Sequence, residues 1–436
     1  MNGTCGAESS LAQTSSHATV MPGMLTLSLC AVLVISSFAP IEIMTIVMFA
    51  GGMLLLADPY AGTRRARDLL FPGAGYLGII LAIGIAGASG KAPYDILKDI
   101  WYVGNAALTI LFGYLLAQRM NSLRDILRGF VAAAAIVSAV HIGRFILNPA
   151  YLSETVLDLR VQAGAGYLIT AIGAVILLGD ARFRVGVLRN RMLSRVIAMV
   201  CLVSVLLSFS RTLWVVLLTG VLTATLTTRI KVVFRVGAVA AVLLLIVIAG
   251  ASLDDADTLM PATFIDKLAQ IPQELKVTSY DTFEDINVHW RGYETYRALL
   301  TYMSGGMRGY LLGGGFGTNV DLGFVMTLAD EEFSEIPILH NGYMYLLVKT
   351  GAVGLAAYGV FLLSTFRTGM RLTQLSDVPM KYCGLLLVAL TFIMLESTLV
   401  VAGMFNKYWL YPATLLMGML LGHSTMMNSG PKKDAL

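Results

Sequence analysis

Residues 340–354 read HNGYMYLLVKTGAVG and begin a long apolar run immediately after the longest polar interval of the chain, residues 251–339. That interval holds 14 acidic and five basic residues, whereas most of the remaining sequence consists of apolar runs. A polar interval between apolar runs is typical of a loop domain outside the membrane hydrocarbon. We therefore expect residues 251–339 to roof a functional site at the membrane surface, with His340 and Asn341 at its edge.

The overall composition excludes an ordinary soluble protein. Of the 436 residues, 57% are hydrophobic and only 13% are charged, and the mean hydropathy is +0.75. Apolar runs of roughly 17–23 residues match the length that a helix needs to cross a ~30 Å hydrocarbon layer. Because the runs are continuous and do not alternate, they favour helices over barrel strands. The predicted fold class is an all-α polytopic membrane protein.

The apolar runs divide the chain into helices, one loop domain and two tails. We predict a disordered cytoplasmic tail at 1–23, nine transmembrane helices within 24–250, the loop domain at 251–339, three further helices within 340–423 and a second cytoplasmic tail at 424–436. The twelve predicted helices lie near 24–39, 41–57, 71–88, 100–117, 126–147, 164–179, 195–209, 211–227, 232–250, 340–366, 382–402 and 407–423.

The distribution of basic residues predicts the orientation of these helices. If the N-terminus lies inside, 19 of the 31 Lys and Arg residues fall in the inner connections or the C-terminal tail. This bias follows the positive-inside rule, so both termini are expected in the cytoplasm and the loop domain on the opposite side. The first 23 residues contain no Lys or Arg, which is unlike a cleaved signal peptide.

Other functional classes lack support in the sequence. The four cysteines show neither CxxC spacing nor a disulfide framework, and nothing suggests a nucleic-acid partner. The acidic residues of the loop, such as Asp330 and Glu335, have no metal-ligand spacing and are more simply solvated charges. We therefore predict neither a metal site nor a cofactor.

Within the loop domain, residues 290–303 predict a helix, since aromatic and aliphatic residues recur three and four positions apart. Arg291 and Arg297 lie six positions apart, about 240° around that helix, so at most one of them faces a common site. A glycine-rich turn follows, and the amides of Gly315 and Gly317 are candidates for binding a phosphate. The alternative interpretation is a tight bend.

Charged residues near the outer ends of the helices are the remaining candidates. Arg211 follows a break between two helices and either contacts an anionic ligand or anchors the helix at the interface. His340 is either a general base or a hydrogen-bonded structural residue. Two more groups could bind an anion: His141 with Arg144 on one helix face, and Arg160 in the connection before the sixth helix.

Three motifs resemble those of the bacterial O-antigen ligase and polymerase superfamily. His340-Asn341 with Gly351 and Gly354 resembles the family's His-Asn helix start. The segment 208–214, SFSRTLW, resembles its Ser-x-Ser-Arg helix opening, and the segment from Arg291 to the LLGGGFG turn at 311–317 resembles its Arg-led loop helix and glycine turn. The resemblance covers roughly residues 200–365.

The sequence departs from the family at two of these positions. Lys349 stands where an acidic residue is common, and Tyr296 where Trp is common. We expect Lys349 and Glu396, both within predicted membrane helices, to neutralise each other.

This resemblance implies a metal-independent glycosyltransferase in the bacterial inner membrane with a periplasmic active site. The implied donor is a glycan on undecaprenyl diphosphate, and the acceptor is a sugar hydroxyl of lipid A–core. Arg211 and Arg291 would then bind the diphosphate and His340 would activate the acceptor. Asn341, His141, Arg144, Arg160, Gly315 and Gly317 are the predicted substrate-binding residues.

Two other functions stay open. A polymerase of the same superfamily would extend one lipid-linked glycan with another. Such enzymes often have two large outer loops, whereas the second outer connection here, 148–163, is short. A polysaccharide or lipid transporter is also compatible with twelve helices, although no internal repeat is evident.

Overall fold

A computed structural model describes residues 22–57, 74–120, 122–149, 166–226, 289–328, 331–405 and 410–428, together with the isolated residues 151, 162, 164 and 286. The described part of the chain contains thirteen α-helices and one β-hairpin. The elements are α1 Pro22–Phe38, α2 Ile41–Ala57, α3 Ala74–Ala86, α4 Pro93–Ala117, α5 Leu123–Leu147, α6 Leu168–Phe183, α7 Arg191–Leu207, α8 Arg211–Leu226, α9 Trp290–Met303, α10 Gly306–Leu312, β1 Val320–Leu328, β2 Glu331–Ile336, α11 Gly342–Thr373, α12 Val378–Val401 and α13 Tyr411–Asn428.

Eleven of the twelve predicted apolar segments contain a helix of the structure, and the ninth, 232–250, lies outside the described residues. Among the described helices, α4, α5, α11 and α12 are long and apolar enough to cross a membrane, and several others are shorter apolar helices. This architecture indicates a helical protein that inserts into a membrane. Three boundaries differ by five or more residues: α4 begins at Pro93, seven residues before the expected start, α11 ends at Thr373, seven residues after the expected end, and α13 continues to Asn428, into the expected C-terminal tail.

Glycines bring the backbones of neighbouring helices into contact. A Cβ added to Gly369 of α11 would lie 2.8 Å from the carbonyl oxygen of Gly384 in α12. Likewise, a Cβ on Gly418 of α13 would lie 2.1 Å from the carbonyl oxygen of Ile110 in α4. Small residues allow such close approach between apolar helices, where packing is the main source of association. α11 with α12, and α4 with α13, are therefore closely packed pairs.

Helix α11 is interrupted at Gly351, whose φ of 65° and ψ of −166° are not helical. The interruption removes the usual amide partners of the carbonyls one turn earlier. The glycine-rich turn at 313–317 replaces them, because the amide of Gly314 donates to the carbonyl of Val348 at 2.8 Å and that of Gly315 to the carbonyl of Lys349 at 3.0 Å. The turn and the kinked helix thus form one hydrogen-bonded unit.

The other side of this turn packs against the end of α3. The amide of Phe316 donates to the carbonyl of Gly84 at 2.8 Å, and the phenyl ring is fully buried. A Cβ on Gly315 would lie 2.1 Å from the backbone of Gly87, so both positions require glycine. The turn is therefore wedged between α3 and the kink in α11.

A buried carboxylate, that of Asp99 in α4, fixes the same unit. Its Oδ2 atom accepts from Lys349 Nζ at 2.7 Å and from the Gly317 amide at 2.7 Å, and its Oδ1 atom accepts from the Tyr345 hydroxyl at 2.8 Å. Asp99 and Lys349 are almost fully buried. The expected pairing of Lys349 with Glu396 was therefore wrong, and Glu396 accepts a hydrogen bond from Thr219 of α8 instead.

The hairpin of β1 and β2 was not predicted, so the loop domain is not purely helical. Its strands pair antiparallel, with Val320 opposite Ile336 and an irregularity between Asp321 and Met326. Arg297 of α9 binds β1, because its Nε atom donates to the Asp321 carbonyl at 2.7 Å and its guanidinium contacts the Asp321 carboxylate at 3.2 Å. The hairpin consequently packs against one face of α9.

Candidate functional site

His340 and Glu294 form a pair at the junction between the loop domain and α11. The imidazole Nδ1 atom lies 2.9 and 3.0 Å from the two carboxylate oxygens of Glu294. The Glu294 side chain is 4% exposed, whereas the His340 side chain is 49% exposed. A buried carboxylate therefore holds an imidazole that is half open to its surroundings.

The backbone of His340 is fixed on both sides of this contact. Its amide donates to Glu294 Oε2 at 3.2 Å, and its carbonyl accepts from the amide of Ala402 at the end of α12. The next residue, Asn341, caps α11, since its side-chain oxygen accepts from the amides of Tyr343 and Met344. The position of the imidazole is thus set by α9, α11 and α12 together.

This geometry determines which imidazole nitrogen can act as a base. An ionised carboxylate only accepts hydrogen bonds, so the Nδ1 atom that faces Glu294 must carry the proton. In the neutral ring the Nε2 atom then has a free electron pair. Because the ring is half exposed, Nε2 is the nitrogen available to accept a proton from a ligand hydroxyl.

Arg291 lies on the same side of α9 as Glu294, three residues earlier. Residues at this spacing have Cβ atoms about 5–6 Å apart, and Arg291 is half-buried. Arg297, by contrast, is directed to the hairpin through its contacts with Asp321. Arg297 therefore faces the hairpin, and the helical spacing alone puts the Cβ atom of Arg291 on the side of α9 that carries Glu294.

An aromatic cluster holds α9 in this position. Tyr293 packs against Trp290 and Phe324, and its hydroxyl donates to the carbonyl of Leu322 in β1. Burial raises the pKa of the Tyr293 phenol, and the nearby Arg297 partly offsets this. Tyr293 is thus a neutral structural donor that ties α9 to the hairpin, one residue before Glu294.

A second polar group surrounds the start of α8. The buried His141 of α5 shares a 2.9 Å hydrogen bond with Ser204 of α7. Arg144, one turn later on α5, donates to the Tyr167 hydroxyl at 3.2 Å. Arg211 begins α8 and is half-buried. These three predicted residues therefore come from two helices, α5 and α8.

The turn between α7 and α8 connects this second group. Ser208 is fully buried, and its hydroxyl accepts from the amide of Ser210. Phe209 between them has a φ of 44°, a backbone conformation that non-glycine residues rarely adopt. Gly166 packs directly against the Ser208 side chain. This compact turn brings Arg211 close to the connection that precedes α6.

Helix directions place both groups at the same end of the helix bundle. α6 and α8 run in the same direction, because Gly166 packs against Leu213 and Gly220 against Val175. α12 runs in the opposite direction to α6, because Tyr382 near its start donates to the Ile176 carbonyl in the second half of α6. The end of α12, which holds His340, therefore lies at the same end as the start of α8.

Some predicted site residues have other roles in the structure. The amides of Gly315 and Gly317 donate to Lys349 and Asp99, so the turn offers neither amide to a phosphate. The side-chain oxygen of Asn341 is occupied as a helix cap. Arg160 lies outside the described residues.

Glu294 was not identified from the sequence, where it is one of 14 acidic residues in the loop interval. The available signal was its position, three residues after Arg291 on the same helix face. No group of three or more His, Cys, Asp or Glu side chains that could hold a metal ion occurs among the described residues.

No protein-family model and no curated protein sequence matches this chain. The functional conclusion consequently depends on the geometry of the site and on the motifs that it contains.

Proposed function

We propose that this protein is a glycosyltransferase of the O-antigen ligase type in the bacterial inner membrane. In this proposal, a glycan is transferred from undecaprenyl diphosphate to a sugar hydroxyl of lipid A–core at the periplasmic face, with both termini in the cytoplasm. The observation that carries it is the His340–Glu294 pair, with distances of 2.9 and 3.0 Å. A half-exposed imidazole oriented by a buried carboxylate is suited to general base catalysis.

His340 would activate the acceptor. Its Nε2 atom takes the proton of the acceptor hydroxyl as the hydroxyl oxygen forms a bond to the anomeric carbon of the donor. The bond between that carbon and the diphosphate oxygen breaks, and the electron pair leaves with the lipid diphosphate. Glu294 stabilises the positive charge that develops on the imidazole, so it acts as a positioning residue through His340.

Arg291 and Arg211 would stabilise the departing diphosphate. A guanidinium carries a permanent charge and can donate two parallel hydrogen bonds to phosphate oxygens. A diphosphate is already a good leaving group, so fixed positive charge replaces the need for a general acid. Neither a metal nor a cofactor is required in this scheme. Arg144 is proposed to contact the donor near Arg211, whereas the fully buried His141 is a structural partner of Ser204.

Transfer by the purified full-length protein in detergent is the direct test. The assay supplies undecaprenyl-diphosphate glycan and lipid A–core in the presence of EDTA, and gel mobility reports the products. We expect a higher-mass lipopolysaccharide from the wild type and none from His340→Ala or Arg291→Ala. Arg297→Ala is the matched control, since this arginine lies on the same helix but binds the hairpin.

The products also distinguish the alternatives. Elongation of the lipid-linked glycan without modification of lipid A–core would overturn the ligase proposal in favour of a polymerase. Absence of both products, with the donor intact, would reject a transferase and favour a transporter. Loss of transfer on chelation, restored by a divalent cation, would reject the metal-independent mechanism.

A further inference from the structure

An open groove of about 630 Å³ lies between the start of α3 and the second half of α11. Tyr76 of α3 forms one wall, and Val360, Leu363 and Phe366 of α11 form the apolar floor. Arg367 and Arg371 also line the groove. The groove therefore combines an apolar surface with two cationic side chains.

The two arginines lie far from the His340–Glu294 pair. After the kink at Gly351, the helix advances 20 residues to Arg371, or roughly 30 Å at 1.5 Å per residue. This matches the ~30 Å hydrocarbon thickness of a bilayer. When α11 crosses the membrane, Arg371 consequently reaches the interface opposite to the proposed active site, with Arg367 one turn before it, and the apolar floor lies within the hydrocarbon.

The charge of these two arginines is not neutralised by the other residues of the groove. Arg367 and Arg371 are exposed and four residues apart, on the same face of α11. Arg371 donates to the hydroxyl of Thr368 at 3.3 Å, and the described lining residues include no carboxylate. The paired guanidinium groups are thus suited to bind one phosphate.

We propose that this groove is a binding site for one anionic phospholipid. Its phosphate contacts Arg367 and Arg371, and an acyl chain lies along Leu363 and Tyr76. Basic pockets between membrane helices on the cytoplasmic side bind anionic head groups in this way. The inference concerns a surface remote from the proposed active site, and it holds whether or not the protein transfers glycans.

Charge also argues against two other occupants. A second copy placed symmetrically on the groove would bring its own Arg367 and Arg371 towards the same pair, and like charges repel. The segment 58–73, which precedes α3, carries three arginines and two aspartates, a net charge of +1, so as a whole it does not complement the two arginines. An anionic lipid is the occupant whose charge complements the groove.

Native mass spectrometry of the full-length protein tests the site by titration with phosphatidylglycerol, or with phosphatidylethanolamine of the same acyl chains. We expect one high-affinity phosphatidylglycerol and weaker phosphatidylethanolamine binding. The Arg367→Ala/Arg371→Ala variant should bind phosphatidylglycerol roughly 30-fold more weakly, from about fivefold per arginine near an anionic surface. Ser364→Trp, which fills the groove and keeps both arginines, should also lose the high-affinity lipid.

Arg191→Ala/Arg195→Ala is the matched control, because it removes two exposed arginines at the same spacing from the start of α7. An equal loss of lipid in this control would overturn the proposal and indicate a general surface-charge effect. Unchanged lipid binding in Ser364→Trp would show that the lipid does not lie in the groove and would overturn the proposal. Displacement of the lipid by inorganic phosphate would show that the site binds the phosphate without contacting an acyl chain. A dimer that dissociates in the Arg367→Ala/Arg371→Ala variant would identify a second copy as the occupant.

Discussion

Replacement of Glu294 by Gln provides the sharpest test of the proposed catalytic pair. The carboxylate accepts from the His340 Nδ1 atom at 2.9 and 3.0 Å and from the His340 amide at 3.2 Å. Glutamine has one accepting oxygen, so it cannot serve both donors fully, and it supplies no negative charge. A hydrogen bond to a charged group contributes about 1.5–3 kcal/mol, which corresponds to about a 10- to 150-fold lower kcat.

Steady-state transfer, with the donor and acceptor concentrations varied in turn, measures this effect. We expect kcat to fall by the stated factor and both KM values to change little, because Glu294 acts through His340 and does not contact substrate. Adding Glu294→Gln to His340→Ala should cause almost no further loss, since the two residues act as a unit. Arg297→Gln on the same helix should retain wild-type kcat.

Two results would refute this reasoning. If Glu294→Gln kept kcat within threefold of the wild type while His340→Ala was inactive, the carboxylate would not orient the base. If the losses of the two single variants multiplied in the double variant, the residues would act independently. Thermal unfolding of each variant in detergent separates these outcomes from loss of the fold.

Three further predictions concern stability and are measured by unfolding of the purified protein in detergent. Lys349→Met leaves the Asp99 carboxylate buried without its cation and should lower the free energy of unfolding by about 3–5 kcal/mol. The double variant Lys349→Met/Asp99→Asn should regain part of this stability. If the single and double variants lost the same stability, the proposed pairing would be contradicted. Gly351→Ala should destabilise the protein, because Gly351 has a φ of 65° and an added Cβ would lie 2.4 Å from the backbone of α10. Gly359→Ala is the control and should be neutral, because no atom lies within 4 Å of its added Cβ. Asn341→Ala removes the cap of α11 and should cost about 1 kcal/mol, and an unchanged midpoint would argue against that role.

The sequence was a reliable guide to the helices because apolar runs and membrane thickness impose their lengths. It also predicted the helix at 290–303, since that follows from local periodicity. The predicted start of α4 was too late because the charged residues near Asp99 are typical of a solvated connection. Only the tertiary structure shows that Asp99 is buried against Lys349.

The missed features depend on contacts between residues distant in the chain. Glu294 resembles the other acidic residues of its loop until the fold places it against His340, 46 positions later. The glycine turn has a composition suited to phosphate binding, but its amides are used by Val348, Lys349 and Asp99. Composition identifies which groups can bind, whereas only the fold shows which are already occupied.

The kink at Gly351 has a consequence for biogenesis. A helix entering the membrane normally satisfies its own backbone, because the hydrocarbon offers no hydrogen-bond partner. The carbonyls of Val348 and Lys349 are satisfied instead by the preceding turn, and the Lys349 ammonium by Asp99 of α4. α11 can therefore settle in the bilayer only together with α4 and the glycine turn, so the membrane insertion of this segment and the docking of the loop domain form one cooperative step.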